Sequence, residues 1–349
     1  MRIAFILPSI DHKGPIVAAK NLIKSLQNDI NYIEVFYFND IINLDLGVKI
    51  TKISFLNKVN LDKFDIINSY MAKPDLYTAI FFKNDNRVVT TMHNYLEKDL
   101  DLLYGNIKSF IYKKLWKYAI KDKKSIIVSS DDMINYYKNL LGDNLGYHKI
   151  EYGVEKKKVY DIKLEHKELL SHMQEKYTIL GSVGLLIERK GYHQLIKFLT
   201  ENENYAVVIL GDGIEHIKLI NEAKKYNVES RFIILGFQNN STNYYKYFDI
   251  YMMTSYSEGC SLAMLEALSQ SLPLVCSDIS NHKACFCDKK VGFFELDNRK
   301  SLEDAILKVN DNKEYYKKSA YRLFKEKFSL DVMGDKHIKL YKEISNENK

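Results

Sequence analysis

Two glutamates stand eight positions apart in the segment SYSEGCSLAMLEALSQSLPLVCSD, Ser255 to Asp278. Glu258 is followed by Gly259, Cys260 and Ser261; an apolar run with helical character then opens at Leu262, and Glu266 lies one turn inside it. At a helix start the backbone N–H groups of Ser261, Leu262 and Ala263 would point at an anion, aided by the helix dipole. A carboxylate on either side can accept hydrogen bonds from hydroxyls. An anion with hydroxyl-bearing groups on both flanks describes a nucleotide-sugar, with its sugar, its diphosphate and its ribose. The competing reading is a capped amphipathic helix carrying two ordinary surface carboxylates.

Three further segments hold residues of the same chemical kind. In Gly184-Leu185-Leu186-Ile187-Glu188-Arg189-Lys190-Gly191, adjacent Arg189 and Lys190 precede a helix. A bidentate guanidinium and a point-charge ammonium together suit a diphosphate, though a solvated basic turn would look the same. Gly211-Asp212-Gly213 closes the apolar run YAVVIL, where glycine admits a ligand to the backbone or simply makes a tight turn. Leu235-Gly236-Phe237 ends another run, and backbone groups there would meet a nucleobase.

These segments all end short apolar runs, so the runs must position them. A first set comprises RIAFILPS, YIEVFYF, KITKISF, DIINSY, RVVTTMH and SIIVSS; a second comprises YTILGSVG, YAVVILGDG, RFIILGF, DIYMMTS, LPLVCSD and VGFFEL. Near-continuous apolar strands separated by helical spans are what parallel sheets buried on both faces require. The expectation is therefore an α/β protein with two doubly wound, Rossmann-like domains, and ligands at the carboxyl ends of the strands. The first domain is set at 1–160 and the second at 161–329. The helix in 330–349 has no strand after it and is expected to return to the first domain. The charged stretch Glu155 to Gln174 is read as the join. A faint internal echo pairs Lys13-Gly14 after the first strand with Lys190-Gly191 after the first strand of the second half.

Composition removes several classes. With 349 residues, two domains are expected. A net charge of +6, from 51 basic and 45 acidic side chains, permits contact with phosphates or acidic lipids but falls short of a nucleic-acid-binding footprint. The four cysteines form no C-x-x-C pair, which argues for reduced thiols and against a zinc site. No segment reaches the roughly 20 apolar residues of a membrane span, and the start MRIAFILPSI reads as a strand rather than a signal peptide.

Glu258-Gly259 through Glu266-Ala267, followed by Leu272-Pro273-Leu274-Val275, resembles the E-x7-E signature of glycosyltransferase family 4, retaining enzymes of the GT-B fold. Val183-Gly184 to Lys190-Gly191 is similar to that family's diphosphate loop, and Gly211-Asp212-Gly213 to its second-strand turn. Thr90-Thr91-Met92-His93-Asn94 is similar to its histidine-bearing strand end. The resemblance implies two domains facing a cleft, with acceptor binding in the first and donor binding in the second. It implies that Arg189 and Lys190 bind the donor diphosphate, that Glu266 binds the ribose and that Glu258 contacts the sugar. Gly259, Cys260, Ser261 and Leu262 would hold sugar and phosphate through their amides; His93 would line the sugar pocket. Gly14, Gly184 and Gly211 would allow close backbone approach, and Phe237 would lie near the base. His93, Arg189, Lys190 and Glu258 form the catalytic set. The implied donor is a UDP-sugar rather than a GDP-sugar, with no cofactor and no metal. The implied acceptor is a glycan or lipid-linked hydroxyl in bacterial surface polysaccharide synthesis, in the cytoplasm or on the cytoplasmic face of the inner membrane.

Three departures from the pattern stand out. Lys13-Gly14-Pro15 replaces paired glycines, Ser271 replaces a common glycine, and Ser280-Asn281-His282-Lys283-Ala284 lacks an expected acid. The Gly14 region leaves room for a catalytically inactive relative that partners a transferase, against which the intact Arg189, Lys190, Glu258 and Glu266 argue; a GT-B epimerase is the other alternative.

One surface feature is separate. In 106–121, NIKSFIYKKLWKYAIK, a helical wheel puts Ile107, Ile111, Leu115, Tyr118 and Ala119 on one face and Lys113, Lys114, Lys117 and Lys121 on the other, with Tyr112 and Trp116 at the border. A core-facing apolar stripe with lysines in solvent is expected, an interfacial helix on anionic lipid being the alternative.

Overall fold

A computed structural model describes residues 1–93, 95–96, 106–259, 261–287 and 289–347, with backbone alone at 106–109. The chain divides into two units, Met1–Gly153 with Leu330–Lys349, and Val154–Ser329. The division falls after Gly153, earlier than the expected boundary at 160. Val154 N donates to Phe328 O at 2.9 Å and Val154 bridges Ser329, so the two ends of the second unit are tied together.

The first unit holds a seven-stranded sheet in the order β3-β2-β1-β4-β5-β6-β7. Its strands are β1 (Arg2–Leu7), β2 (Tyr32–Tyr37), β3 (Lys49–Lys52), β4 (Ile66–Tyr70), β5 (Val88–Thr91), β6 (Ser125–Val128) and β7 (Gly146–Lys149). Every pairing is parallel. Ile3 to Leu7 of β1 are all fully buried, as a central strand covered on both faces must be. The strand β7 was not anticipated: Gly146–Lys149 is a half-buried edge with no apolar run to reveal it. The order reverses between β1 and β4, which makes the ends of those strands the topological switch point.

The helix Leu330–Glu347 belongs to this first unit. Its Met333, Leu340, Tyr341 and Ile344 share one apolar core with Ile16, Ala19, Leu22 and Ile23 of the helix Gly14–Leu26. Gly334 permits the approach, because a Cβ there would sit 3.1 Å from Ser25. Asn68 Nδ2 of β4 also donates to Tyr341 Oη at 2.6 Å, a buried bond.

The helix Asn106–Ile120 corrects the core-facing expectation. Ala119 and Ile120 are buried, whereas Ile111 (53% exposed), Leu115 and Tyr118 face solvent beside Phe110 and Tyr112. Trp116 sets this rotation: its Nε1 donates to Asp75 Oδ2 at 2.7 Å, and Asp75 is wholly buried on the helix Ala72–Phe81. The side chain of Ile107 lies outside the described residues.

The second unit holds a six-stranded sheet in the order β10-β9-β8-β11-β12-β13. Its strands are β8 (Thr178–Val183), β9 (Tyr205–Leu210), β10 (Phe232–Ile234), β11 (Ile250–Met253), β12 (Leu274–Ser277) and β13 (Gly292–Phe294). All pair in parallel, over a core that includes Val207, Ile209, Ile250, Met252 and Val275. The order reverses between β8 and β11. The stretch read as the join supplies the helix Leu164–Gln174, which buries Leu170 and Met173.

Candidate functional site

The ends of β8 and β11 carry the segments singled out by sequence. After β8 the chain passes Gly184 and makes a tight turn at Glu188–Lys190. Gly191 follows with φ +65°, and a Cβ there would lie 2.3 Å from the carbonyl oxygen of Thr254, so glycine alone fits. This close approach locks the turn to the end of β11. Thr254 Oγ1 donates to Lys190 O at 2.7 Å, Tyr256 N donates to Arg189 O at 2.8 Å, and Gln194 Nε2 donates to Thr254 O at 3.0 Å.

The lock brings three predicted residues together. Lys190 Nζ lies 2.5 Å from Glu258 Oε1, and Arg189 Nη1 lies 3.3 Å from the same oxygen. Ser255 Oγ donates to it at 3.2 Å, and Arg189 also donates to Ser257 O. Lys190 and Glu258 are both buried. Burial pushes the Glu258 carboxyl up, but Lys190 and Arg189 outweigh it and hold the group below its ordinary range. An anionic Glu258 between two cations leaves one positive charge in excess. That excess sits at the switch point, where an anionic ligand is expected.

The helix Leu262–Ser269 begins beside this cluster. Ser261 enters it with extended backbone and gives no side-chain cap, and its first turn holds no acid. Its first N–H groups are therefore open to an anion from outside. Cys260 lies outside the described residues, as does Asn94.

Glu266 is not part of the cluster. Its Oε1 is 2.7 Å from Lys157 Nζ, a residue 109 positions away that no sequence signal marked. Two other residues were also missed. Asn281 Nδ2 donates to Gly259 O at 2.7 Å, and His282 Nδ1 donates to Ser277 O at 2.9 Å. Ser277 Oγ in turn donates to Ser255 O at 2.6 Å. The helix Ser280–Cys285 thus braces the Glu258 loop from behind. The sequence flagged this stretch only as a place lacking an acid.

The glycines divide by what surrounds them. A Cβ on Gly211 would lie 1.8 Å from Gly184 O, and one on Gly213 2.4 Å from Leu186 O. These two are required for the loops after β8 and β9 to close on each other. Gly184 lies against Lys190, 3.4 Å from Cβ position to Nζ. Phe237 follows Gly236, whose φ is +70°, and is 66% exposed.

In the first unit, His93 lies two residues beyond the end of β5 and is buried between aromatic rings. Tyr152 stacks on it at 5.3 Å and Tyr70 lies 5.1 Å away. Tyr152 Oη is 2.6 Å from Nδ1, while Nε2 has no partner among the described residues. Burial lowers the imidazole pKa to about 3, so it stays neutral. Gly14 opens the helix Gly14–Leu26, and a Cβ on it would meet nothing within 4 Å. Among the described residues, no group of three or more His, Cys, Asp or Glu side chains is placed to hold a metal ion.

With this geometry in place, the likenesses to known proteins are consistent. Residues 165–325 match the family of group 1 glycosyl transferases. The chain is 26% identical over 357 residues to the O-antigen biosynthesis glycosyltransferase WclY of Escherichia coli, covering 99% of each. It is 26% identical over 278 residues to the UDP-Gal:alpha-D-GlcNAc-diphosphoundecaprenol alpha-1,3-galactosyltransferase of Escherichia coli, covering 75% of this chain and 70% of that one. The crystal structure of Anabaena Alr3699/HepE in complex with UDP superimposes with a TM-score of 0.79 at 15% identity, covering 98% of this chain and 100% of that one. The protein has the GT-B fold, built on two parallel, Rossmann-like sheets.

Proposed function

We propose that this protein is a retaining, metal-independent glycosyltransferase of bacterial surface polysaccharide synthesis. The observation that carries the reading is the Arg189–Lys190–Glu258 cluster at the β8/β11 switch point, beside the uncapped start of the helix Leu262–Ser269. The second unit binds a nucleoside-diphosphate sugar, and UDP is the preferred nucleotide; a bound UDP in the HepE structure and the UDP-Gal donor of the galactosyltransferase support that choice. The first unit binds the acceptor hydroxyl, on a glycan or a lipid-linked sugar, in keeping with the diphosphoundecaprenol named for the same relative.

In the reaction the bond from the anomeric carbon to the diphosphate oxygen breaks, and a bond to the acceptor oxygen forms on the same face. The acceptor proton passes to a phosphate oxygen, so no protein nucleophile is needed. Arg189, Lys190 and the amides of Ser261, Leu262 and Ala263 stabilise the charge on the leaving diphosphate. One close ion pair contributes on the order of 4 kcal/mol at an effective dielectric near 20. Glu258 orients the sugar, Glu266 the ribose, Phe237 the base, and neutral His93 lines the sugar pocket without carrying charge to it.

The decisive experiment is a stability panel with UDP, GDP, ADP and their sugars, followed by transfer to a lipid-linked acceptor and assignment of the product anomer. A nucleotide at 100 times its Kd should stabilise by about 2.7 kcal/mol. No stabilisation by any of them, or an inverted product, overturns the reading.

We propose that transfer takes place in the cytoplasm, at the inner membrane face. Among the described residues no helix is long and apolar enough to cross a membrane. The exposed Phe110, Ile111, Leu115 and Tyr118, with Lys114, Lys117 and Lys121 alongside, form the contact with anionic lipid. Co-sedimentation with anionic vesicles at low salt checks this; equal recovery with neutral vesicles would count against it.

A further inference from the structure

The pair formed by Glu266 and Lys157 is built differently from a chance surface contact. Glu266 is only 14% exposed in its side chain, yet its charge lies close to two fully buried tyrosines, Tyr245 and Tyr251, whose hydroxyls are pushed up first by burial and in part by this carboxylate. A shielded anion in such surroundings needs a partner. Lys157 supplies it from a segment with no helix or strand of its own, and that segment is pinned in place. One turn beyond Glu266, Gln270 Nε2 donates to Lys157 O at 3.0 Å, and Tyr160 N donates to Asn243 Oδ1 at 3.0 Å. The helix Leu262–Ser269 and the residue after it therefore grip Lys157 at both its backbone and its ammonium.

The pair leaves hydrogen-bonding capacity on both sides. Only Oε1 of Glu266 is engaged, and Oε2 has no partner among the described residues. Lys157 has one protein acceptor, and its side chain is 51% exposed, so further N–H groups face outward. An open carboxylate oxygen beside open ammonium hydrogens matches a vicinal diol, in which each hydroxyl both donates and accepts. A single carboxylate would read only the donated hydrogens.

We propose that Lys157 is a specificity-determining residue of the nucleotide site, reading the ribose 2′,3′-diol jointly with Glu266 and selecting ribonucleotide over deoxyribonucleotide donors. This rests on the reading that Glu266 faces the ribose. Lys157 holds Glu266 aimed before the nucleotide arrives, and its free N–H groups then donate to the hydroxyl oxygens while Oε2 accepts from a hydroxyl. It is a binding residue and touches no reacting bond.

The test compares Kd values for whichever of UDP, GDP and ADP binds wild type best, and for its 2′-deoxy counterpart. Wild type, Lys157→Ala, Lys157→Arg and Glu266→Gln are measured by calorimetry, with the ligand-free Tm of each as a fold check. Losing a charge-assisted hydrogen bond should weaken ribonucleotide binding by Lys157→Ala about tenfold and leave the deoxynucleotide nearly unchanged, collapsing the preference. Lys157→Arg should restore part of that preference. If Lys157→Ala binds as well as wild type, or more tightly, with the preference intact, Lys157 is a counter-ion or an obstruction and the proposal fails. If no nucleoside diphosphate binds wild type, the donor reading itself falls, and this with it.

Discussion

The two units place a Lys-Gly pair at the same point of the same topology, after the central strand that borders the switch point, and use it in opposite ways. In the first unit Lys13 is exposed and pairs with Asp11 at 2.8 Å, while Gly14 has empty space where a Cβ would go. In the second, Lys190 is buried against Glu258, and Gly191 is hemmed in by Thr254. A buried pair with a second cation is thus found at β8/β11, while in the first unit the lysine after β1 is exposed and the loop after β5 presents a neutral imidazole between tyrosines. Shared topology fixes where a ligand can sit; the local packing decides whether that place is charged and rigid or neutral and open.

The largest effect should come from removing the buried cation. Lys190→Ala takes away an oxyanion-type partner and should lower turnover by about 10²–10³-fold, and it should destabilise the second unit by about 3 kcal/mol because Glu258 loses its nearest counter-charge. Adding Glu258→Ala should recover part of the stability and none of the activity. Lys13→Ala takes a 64% exposed lysine from a buried Asp11 and should cost less than Lys190→Ala, because water reaches the place the ammonium leaves. Equal losses from the two lysine variants, in urea midpoints, would erase the contrast.

Next in size is the pair of glycines. Gly191→Ala forces a left-handed residue into the Thr254 carbonyl and should cost more than about 2 kcal/mol. Gly14→Ala meets nothing and should leave stability unchanged or raise it by up to about 1 kcal/mol, by lowering the entropy of the unfolded chain. Thermal denaturation of both variants decides the point. A destabilised Gly14→Ala would mean that the open space in the first unit is illusory.

The smallest effect sharpens the electrostatic side of the comparison. His93 is held at about 3 by burial, below its ordinary 6.5. Its folded pKa is depressed, so its contribution to stability is complete above pH 6.5 and is lost as pH falls toward 3, when the unfolded chain takes up a proton that the folded one refuses. Between pH 7 and pH 5 wild type should therefore lose about 2 kcal/mol more than His93→Gln, read from urea midpoints at the two pH values. Identical pH dependence in both would mean that the imidazole is not neutral by burial.

Much of this was visible in the residues. The twelve apolar runs became the strands β1 to β6 and β8 to β13; burial on both faces leaves a continuous apolar pattern in the central ones, while the exposed edge β3 was marked by Ile50 and by Ile53 and Phe55 just beyond it. The edge strand β7, Gly-Tyr-His-Lys, left none, because it holds no aliphatic residue to mark it. The orientation of the helix Asn106–Ile120 was also out of reach of periodicity. Its wheel shows one apolar face with Trp116 at the border, and it is the buried Asp75, with its demand for a donor, that engages Trp116 and leaves Ile111, Leu115 and Tyr118 exposed.

The sequence by itself determined the α/β class, every strand but β7, and the candidacy of Arg189, Lys190, Glu258 and Glu266, because those depend on residue type and local spacing. Only the tertiary structure decided that Arg189 and Lys190 converge on one oxygen of Glu258 while Glu266 joins Lys157, and that Asn281 and His282 brace the Glu258 loop. The physical reason is distance along the chain. A pairing across tens of residues is fixed by how strands order within a sheet and how closely two loops can approach, and neither is written in the spacing of the residues that meet.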